Sequence, residues 1–353
     1  MIDERSLGKI SSAFLEEIIF PKLGARRDEV LVGPALGVDT CVIRIGSNEV
    51  LVVSSDPLSL IPELGPEDSA WMSVALLVND LSTSGLSPQY LITDLNLPPD
   101  LPNEVLIRYW NAFSDECSRL GIAVVGGNTG KFDGCHLTII GAGTAFAVGS
   151  KSRVIASSGA KLGNDVILTK GAAISATGIL SKIFSNRVAE SFGETLQKKA
   201  ASYFSKISAM QDALIAASVG TGLDGVTAMH DVAEGGVISA LLELSEASSL
   251  GMRVDKRAIP VSAETSSICK LFGIDPYITL GEGAMIIACA QGKGEEVISR
   301  LSRNGINAAK IGEITSQIAG VTCRESEDEV PLVRPRVDPY WEAYRNAVSN
   351  KWN

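Results

Sequence analysis

The sequence predicts two α/β or α+β domains in one chain, and three observations lead there. At 353 residues, the chain exceeds what one ordinary hydrophobic core organises. Strand-like and helix-like segments alternate in both halves. A stretch rich in serine, glycine and lysine, Ser157-Ser158-Gly159-Ala160-Lys161-Leu162-Gly163, separates the halves and reads as a domain connection.

In the first half, Ile10, Phe14, Ile18 and Ile19 recur at helical spacing and predict a helix over 5–23. A glycine-bearing loop follows over 33–39. Residues 41–43 and 50–53 read as strands. The second is expected to end at Ser54-Ser55-Asp56-Pro57, because proline has no N–H for a ladder. A strongly apolar helix over 69–84 stops at Gly85. A strand over 89–96 and an amphipathic helix over 103–120, closed by Gly121, come next. A strand over 122–125 runs into a turn, Gly126-Gly127-Asn128-Thr129-Gly130, and a long strand covers 136–148.

In the second half, 165–169, 226–229, 284–290 and 308–312 read as strands. Residues 173–184, 208–218 and 294–303 read as helices, as does a segment opening at Gly235-Gly236 and ending near Ala247. Asp338-Pro339 combines an N-cap with a first-turn proline and predicts a final helix carrying Trp341 and Tyr344.

Composition excludes several function classes. Hydrophobic residues make up 45% and charged residues 20%, as in a soluble globular protein. The net charge is -10 with no run of basic residues, which argues against nucleic acid as a partner. Apolar runs are only a few residues long, and a membrane span needs roughly 20. The polar start, Met1-Ile2-Asp3-Glu4-Arg5, does not read as a signal peptide, so the expected location is cytoplasmic. Six cysteines form no C-x-x-C pair and read as buried reduced thiols. With two histidines, His136 and His230, a zinc site of His and Cys is not expected.

Common nucleotide motifs are missing. There is no P-loop. Gly141-Ala142-Gly143 lacks a third glycine and a strand-to-helix turn, so it is not a Rossmann fingerprint. No nucleophile elbow occurs. Three aspartates stand out instead. Asp80 lies inside the apolar helix, where an ionised carboxylate is costly unless paired or bound to metal; a solvent-facing position is the alternative. Asp56 ends an apolar strand, and Asp39 follows Gly37 in a loop; each can also be an ordinary turn residue. Together they form an oxygen-rich set suited to magnesium, which is held by a few carboxylates plus substrate phosphates. A metal would cancel the repulsion between an acidic cleft and a triphosphate. The glycine turns at 126–130 and 235–236 could present backbone N–H groups to phosphate, although a glycine pair also serves tight turns or close packing.

The ordered set Gly37-Val38-Asp39-Thr40-Cys41-Val42-Ile43, Ser54-Ser55-Asp56-Pro57, Val78-Asn79-Asp80-Leu81 and Gly126-Gly127-Asn128-Thr129 resembles the PurM-like (AIR synthase-related) superfamily. In the second half, Ile167-Leu168-Thr169-Lys170-Gly171 and His230-Asp231-Val232-Ala233-Glu234-Gly235-Gly236 resemble further segments of it, and the match spans roughly 7–315. The resemblance implies an N-terminal ATP- and Mg2+-binding domain over 1–156 that pairs with its twin into a shared β-barrel. It implies a C-terminal α/β domain over 157–320 that closes the ATP site, and leaves a C-terminal extension over 321–353. Carried over by motif, Asp39, Asp56 and Asp80 would hold Mg-ATP with support from Asn79. Gly126, Gly127, Asn128 and Thr129 would line the phosphate or substrate side. Val38 replaces the first acid of the family pair. Asn128 and Gly130 stand where several members carry an acid, with histidine as another choice at the first position.

The implied activity is ATP-dependent phosphorylation or activation of an oxygen on a small-molecule or amide-like substrate. The alternative is a nucleotide-binding accessory or maturation factor acting on a protein partner. The chain is similar to an uncharacterised subgroup near the hydrogenase-maturation HypE branch. HypE's reaction uses a cysteine at the extreme C-terminus, and this sequence ends Ser349-Asn350-Lys351-Trp352-Asn353.

Overall fold

The structure is a computed structural model that describes residues 7–316, 320–325 and 328–352. It contains two mixed β-sheets with helices packed on them. The first half holds α1 (Ser12–Phe14), β1 (Val30–Val32), β2 (Cys41–Arg44), β3 (Glu49–Ser59), α2 (Pro66–Ser82), β4 (Tyr90–Leu97), α3 (Asn103–Leu120), β5 (Ala123–Lys131) and β6 (Ile139–Ser150). Their sheet runs β1-β2-β3-β6-β4-β5. Only the β4–β5 pair is parallel, and helix α3 makes that crossover.

Alternation sets the faces of this sheet. Val50, Val52 and Leu58 of β3 and Leu91, Leu95 and Leu97 of β4 point to the helix side and are buried. Helix α2 lies over them. Its first turn carries Pro66, Glu67 and Asp68, which suit a helix N-terminus. Its Leu77 side chain covers Gly143 of β6, where an added Cβ would collide with it. Burying each such leucine contributes about 1.5–3 kcal/mol. The opposite sheet face leaves Tyr90, Ile92 and Val148 exposed.

The second half holds β7 (Asp165–Thr169), α4 (Ile174–Ile183), α5 (Ser185–Phe192), α6 (Glu194–Ala201), α7 (Met210–Ala217), β8 (Val226–Asp231), α8 (Gly236–Ser248), β9 (Gly251–Asp255), α9 (Ala263–Phe272), β10 (Met285–Cys289), α10 (Gly294–Arg303), β11 (Ala308–Thr315), β12 (Val321–Arg324), β13 (Glu329–Pro331) and α11 (Pro339–Ser349). This sheet runs β13-β12-β9-β11-β7-β10-β8. Strands β7, β8 and β10 are buried along their whole lengths, as strands covered on both faces must be. The segment expected as an extension from residue 321 supplies β12, β13 and α11. Asp338 caps α11 as expected, accepting a hydrogen bond from the Tyr340 N–H at 2.8 Å and one from the Gly235 N–H at 2.7 Å.

Helix α2 is apolar nearly all round because both halves cover it. Met72 and Ala75 pack with Ala176 and Leu180 of α4, with Phe204, and with Tyr340 of α11. The 33–39 loop also crosses to the second half. Gly37 has φ 69°, and an added Cβ there would overlap the backbone carbonyl of Glu243 in α8.

Three expectations need correction. The helix expected over 5–23 is an irregular helical run over 12–22, with a π-turn and a 3-10 turn, because Pro21 interrupts the backbone bonding; residues 5 and 6 lie outside the described residues. Strand β3 does not end at Pro57 but continues to Ser59. The β2–β3 pairing stops at Cys41–Val53, so Pro57 lies where β3 has a free edge. The 126–130 turn is instead part of β5, which continues to Lys131 beside β4. Helices α5 and α6 fill a stretch that had no assignment. Among the described residues, no helix is long and apolar enough to cross a membrane.

Gly37→Ala should destabilise the protein by roughly 2–3 kcal/mol, through both its φ and the lost close approach to α8. Urea denaturation checks this, and an unchanged midpoint would mean the loop does not dock as described.

Candidate functional site

Three sequence-predicted aspartates reach one place by different routes. Asp39 comes from the docked loop. Asp56 is on the helix-facing side of β3, and Asp80 is in the last turn of α2. The second half adds His230 and Asp231 at the end of β8, Glu243 on α8, and Glu282 between Gly281 and Gly283 before β10.

The tightest contacts centre on His230, which is buried. Its Nδ1 donates to the Asp231 carbonyl oxygen at 2.7 Å. Its Nε2 lies 3.1 Å from Asp39 Oδ1 and 3.6 Å from Glu243 Oε2. Ser157 Oγ donates to the other Asp39 oxygen at 3.4 Å. Asp39, His230 and Asp231 each offer one ligand atom, all within 4.8 Å of one another. Lys9 reaches in from the N-terminal segment, with its Nζ 3.9 Å from Glu243 Oε1 and its backbone N–H on Glu234 at 2.9 Å.

The electrostatics are frustrated. Burial pushes the Asp39 carboxyl up to about 7, with Asp231 and Glu243 adding to the rise against His230. Burial, then Asp231, pushes Asp56 up to about 7. Asp80 stands well above the ordinary carboxyl range, through burial and then Asp231, Asp56, Asp39 and Glu282. Glu282 is likewise far above it, through burial and then Asp231 and Asp56. Asp231 is raised by burial, although His230 and Lys9 oppose the shift. For His230, burial opposes the charge, but Asp39, Glu243 and Asp231 outweigh it and raise its pKa. The same contest at Lys9 ends in a strongly held ammonium, through Glu243, Asp231, Asp80 and Glu282. Six acids, Asp39, Asp56, Asp80, Asp231, Glu243 and Glu282, thus face three cations, Lys9, His230 and, at Glu243, Arg334. An oxygen-rich donor set short of positive charge fits a hard divalent cation such as Mg2+.

The remaining predicted residues sit differently. Asn79 is fully buried, and both ends of its amide are engaged. Its Nδ2 donates to the Ile207 carbonyl at 2.8 Å, and its Oδ1 accepts from the Ala209 N–H at 2.6 Å. It therefore supports the site by holding 207–209. Gly126, Gly127, Asn128 and Thr129 lie on β5 at the sheet edge. Asp56 pairs with Gly143, Gly143 with Thr93, and Thr93 with Gly127. Three ladder steps separate Gly127 from Asp56, about 14 Å at about 4.8 Å each. Asn128 turns to the other sheet face and donates to Asp94 at 3.2 Å, so the structure does not bring its side chain to the aspartates. Gly127 is needed for close packing, since a Cβ there would strike the Thr93 carbonyl.

The sequence reading missed Lys9, Glu243 and Glu282 and gave His230 and Asp231 no role. Glu282 carried a signal, being a lone acid between glycines before an apolar strand. His230-Asp231 ends another such strand. Lys9 and Glu243 carried none, because only the fold brings them in.

A carboxyl whose folded pKa is raised binds its proton more tightly when folded. Its ionisation then costs stability as pH climbs from about 4 to about 7. In chelator-treated protein, Asp39→Asn with Asp56→Asn should melt several degrees above wild type near pH 8, and the advantage should vanish near pH 4. Equal melting at both pH values would contradict the assigned charges.

Comparison with known proteins follows the two halves. The N-terminal domain of AIR synthase related protein matches residues 37–148, and its C-terminal domain matches 161–323. Carbamoyl dehydratase HypE of Cupriavidus necator is 27% identical over 286 residues, 79% of this chain and 77% of that protein. Two solved structures share the fold. Hydrogenase maturation protein HypE in complex with ATP has TM-score 0.67 at 20% identity, covering 96% of this chain and 99% of that one. ThiL complexed with AMPPCP and TMP has TM-score 0.64 at 20% identity, covering 84% and 91%. With both domain matches in order along most of its length, the chain belongs to the AIR synthase related family of the PurM-like superfamily.

Proposed function

We propose that the acidic cluster binds Mg2+ and ATP, and that the protein uses them to phosphorylate or activate an oxygen of a small-molecule or amide-like substrate. The observation that carries this reading is the excess of buried acid. Two of these carboxyls rise to about 7, and the added positive charge of a metal would relieve them. The ATP and AMPPCP held by the two structural neighbours support it.

In this reading Asp39, Asp56 and Asp80 hold the metal, with Asp231 close enough to Asp39 to join them. A magnesium ion prefers oxygen, so His230 serves as counter-charge, fixed by its bond to the Asp231 carbonyl. Lys9 is the cation available to a phosphate oxygen, because its chain end arrives from outside both sheets. Gly126, Gly127 and Thr129, three strands from Asp56, line the substrate side rather than the metal. Burial, then the like charges of Asp231 and Asp56, hold Glu282 well above the ordinary carboxyl range, so it can carry a proton beside the metal and its ligands.

The apolar outer face of the first sheet supports a homodimer. Tyr90, Ile92, Val125 and Val148 are exposed there, and a second copy would cover them as the family barrel does.

Asp80→Ala should lose Mg-ATP binding in calorimetry, a drop of at least about 100-fold in affinity, while its circular dichroism stays native. Unchanged affinity would refute the metal assignment. Ile92→Glu should turn a dimer into a monomer in sedimentation velocity. Wild-type protein that sediments as a monomer at micromolar concentration would remove the dimer proposal.

A further inference from the structure

Lys170 follows β7 with φ 57°, a left-handed conformation that a non-glycine residue adopts only when its surroundings compel it. Its side chain is largely buried, and four oxygens surround its ammonium. They are the Gly283 carbonyl at 2.7 Å, the Ser208 carbonyl at 2.8 Å, Asp212 Oδ2 at 3.0 Å and the Lys206 carbonyl at 3.2 Å. Asp212 is only 1% exposed, and among the described residues its Oδ1 has no hydrogen-bond partner.

The backbones supplying these carbonyls are pressed together. Gly283 has φ 102°, and an added Cβ would overlap the Lys206 carbonyl. Converging carbonyl dipoles beside a carboxylate repel one another unless a positive charge sits between them. Each segment held this way also touches the acidic site. Gly283 follows Glu282 directly, and residues 207 and 209 grip Asn79 of α2.

We propose that Lys170 is a tethered stand-in for a monovalent cation: its ammonium fills an oxygen cage that positions Glu282 and Asn79, and its removal leaves a site for K+ or NH4+. The distances and donors fit this class of ion. Oxygens at 2.7–3.2 Å are too far for Mg2+, which demands about 2.0–2.1 Å. Three neutral carbonyls with one carboxylate balance a single charge, and carbonyl oxygens are what replaces the water shell of K+. A pocket of about 280 Å³, lined by Lys170, Ser208, Gln211 and Asp212 among others, gives an ion and its remaining waters a way in. Lys170 is thus a positioning residue for the site.

The test is thermal unfolding of Lys170→Ala in choline, lithium, potassium and ammonium chlorides at equal ionic strength. In choline the variant should melt roughly 5–10 °C below wild type. Potassium and ammonium should recover most of the loss with saturable dependence, and lithium should not. Wild type should show no such selectivity. If the variant answers all four salts as wild type does, the proposal is overturned. Should Lys170→Ala not fold in any salt, Lys170→Gln replaces it. Glutamine keeps two donors but leaves Asp212 without counter-charge, so the same potassium selectivity is required of it. The second arm rests on the nucleotide reading. Mg-ATP affinity of the variant should fall about tenfold in choline and return in potassium. An affinity equal to wild type in choline would show that the cage does not position the site. If wild type itself binds no Mg-ATP, the proposed function fails while the melting arm still decides the cage.

Discussion

The structure depends on forcing like-charged carboxyls from two sheets into one cleft. Asp39, Asp56 and Asp80 belong to the first half, and Asp231, Glu243 and Glu282 to the second. Burial, and then their mutual repulsion, raises several of them out of the ordinary carboxyl range. A fold that keeps such an arrangement needs strong attachments around it, and these are visible. Gly37 lies against the α8 backbone, Asn79 grips 207–209, and apolar α2 is packed from both sides. Strain at a cleft offset by packing elsewhere is a pattern expected where binding rather than packing set the sequence.

The chain ends also bear on this cleft. The Glu234 carboxylate accepts from the Lys9 N–H and, at 2.7 Å, from Trp341 Nε1. Arg334 pairs with Glu243 at 3.2 Å and with Glu246 at 2.7 Å. One short loop therefore anchors the N-terminal segment and α11 beside the site. Three cations thus border the acids: His230 against Asp39, Arg334 against Glu243, and Lys9 3.9 Å from Glu243.

Much of this was legible in the sequence, for stated physical reasons. Asp80 stood out because an ionisable group interrupts an apolar helix, and Gly37 and Asp39 because a glycine loop precedes a strand. Element types followed from periodicity. What escaped depends on distance along the chain. Glu243 looks like any helix glutamate until Gly37, some two hundred residues earlier, docks against its backbone. Lys9 is an ordinary lysine until folding brings it beside Glu243, and the segment holding Lys170 gives no hint of the four oxygens that folding gathers around its ammonium. The glycines at 126–127 admit either a phosphate turn or close packing, and a strand lying too close to Thr93 for any Cβ accounts for the glycine at 127. Pro57 misled, because a free strand edge is invisible in one sequence.

Proton release on metal binding tests the central claim most directly. Calorimetric titration of the full chain with Mg2+ and ATP, repeated in buffers of different ionisation enthalpy near pH 6.5, counts the protons that leave. If the acids of both halves share one charge-starved cleft, protons must be released, because Asp39 and Asp56 are partly protonated there before the ion arrives. Binding with no proton release, or with uptake, would contradict the account.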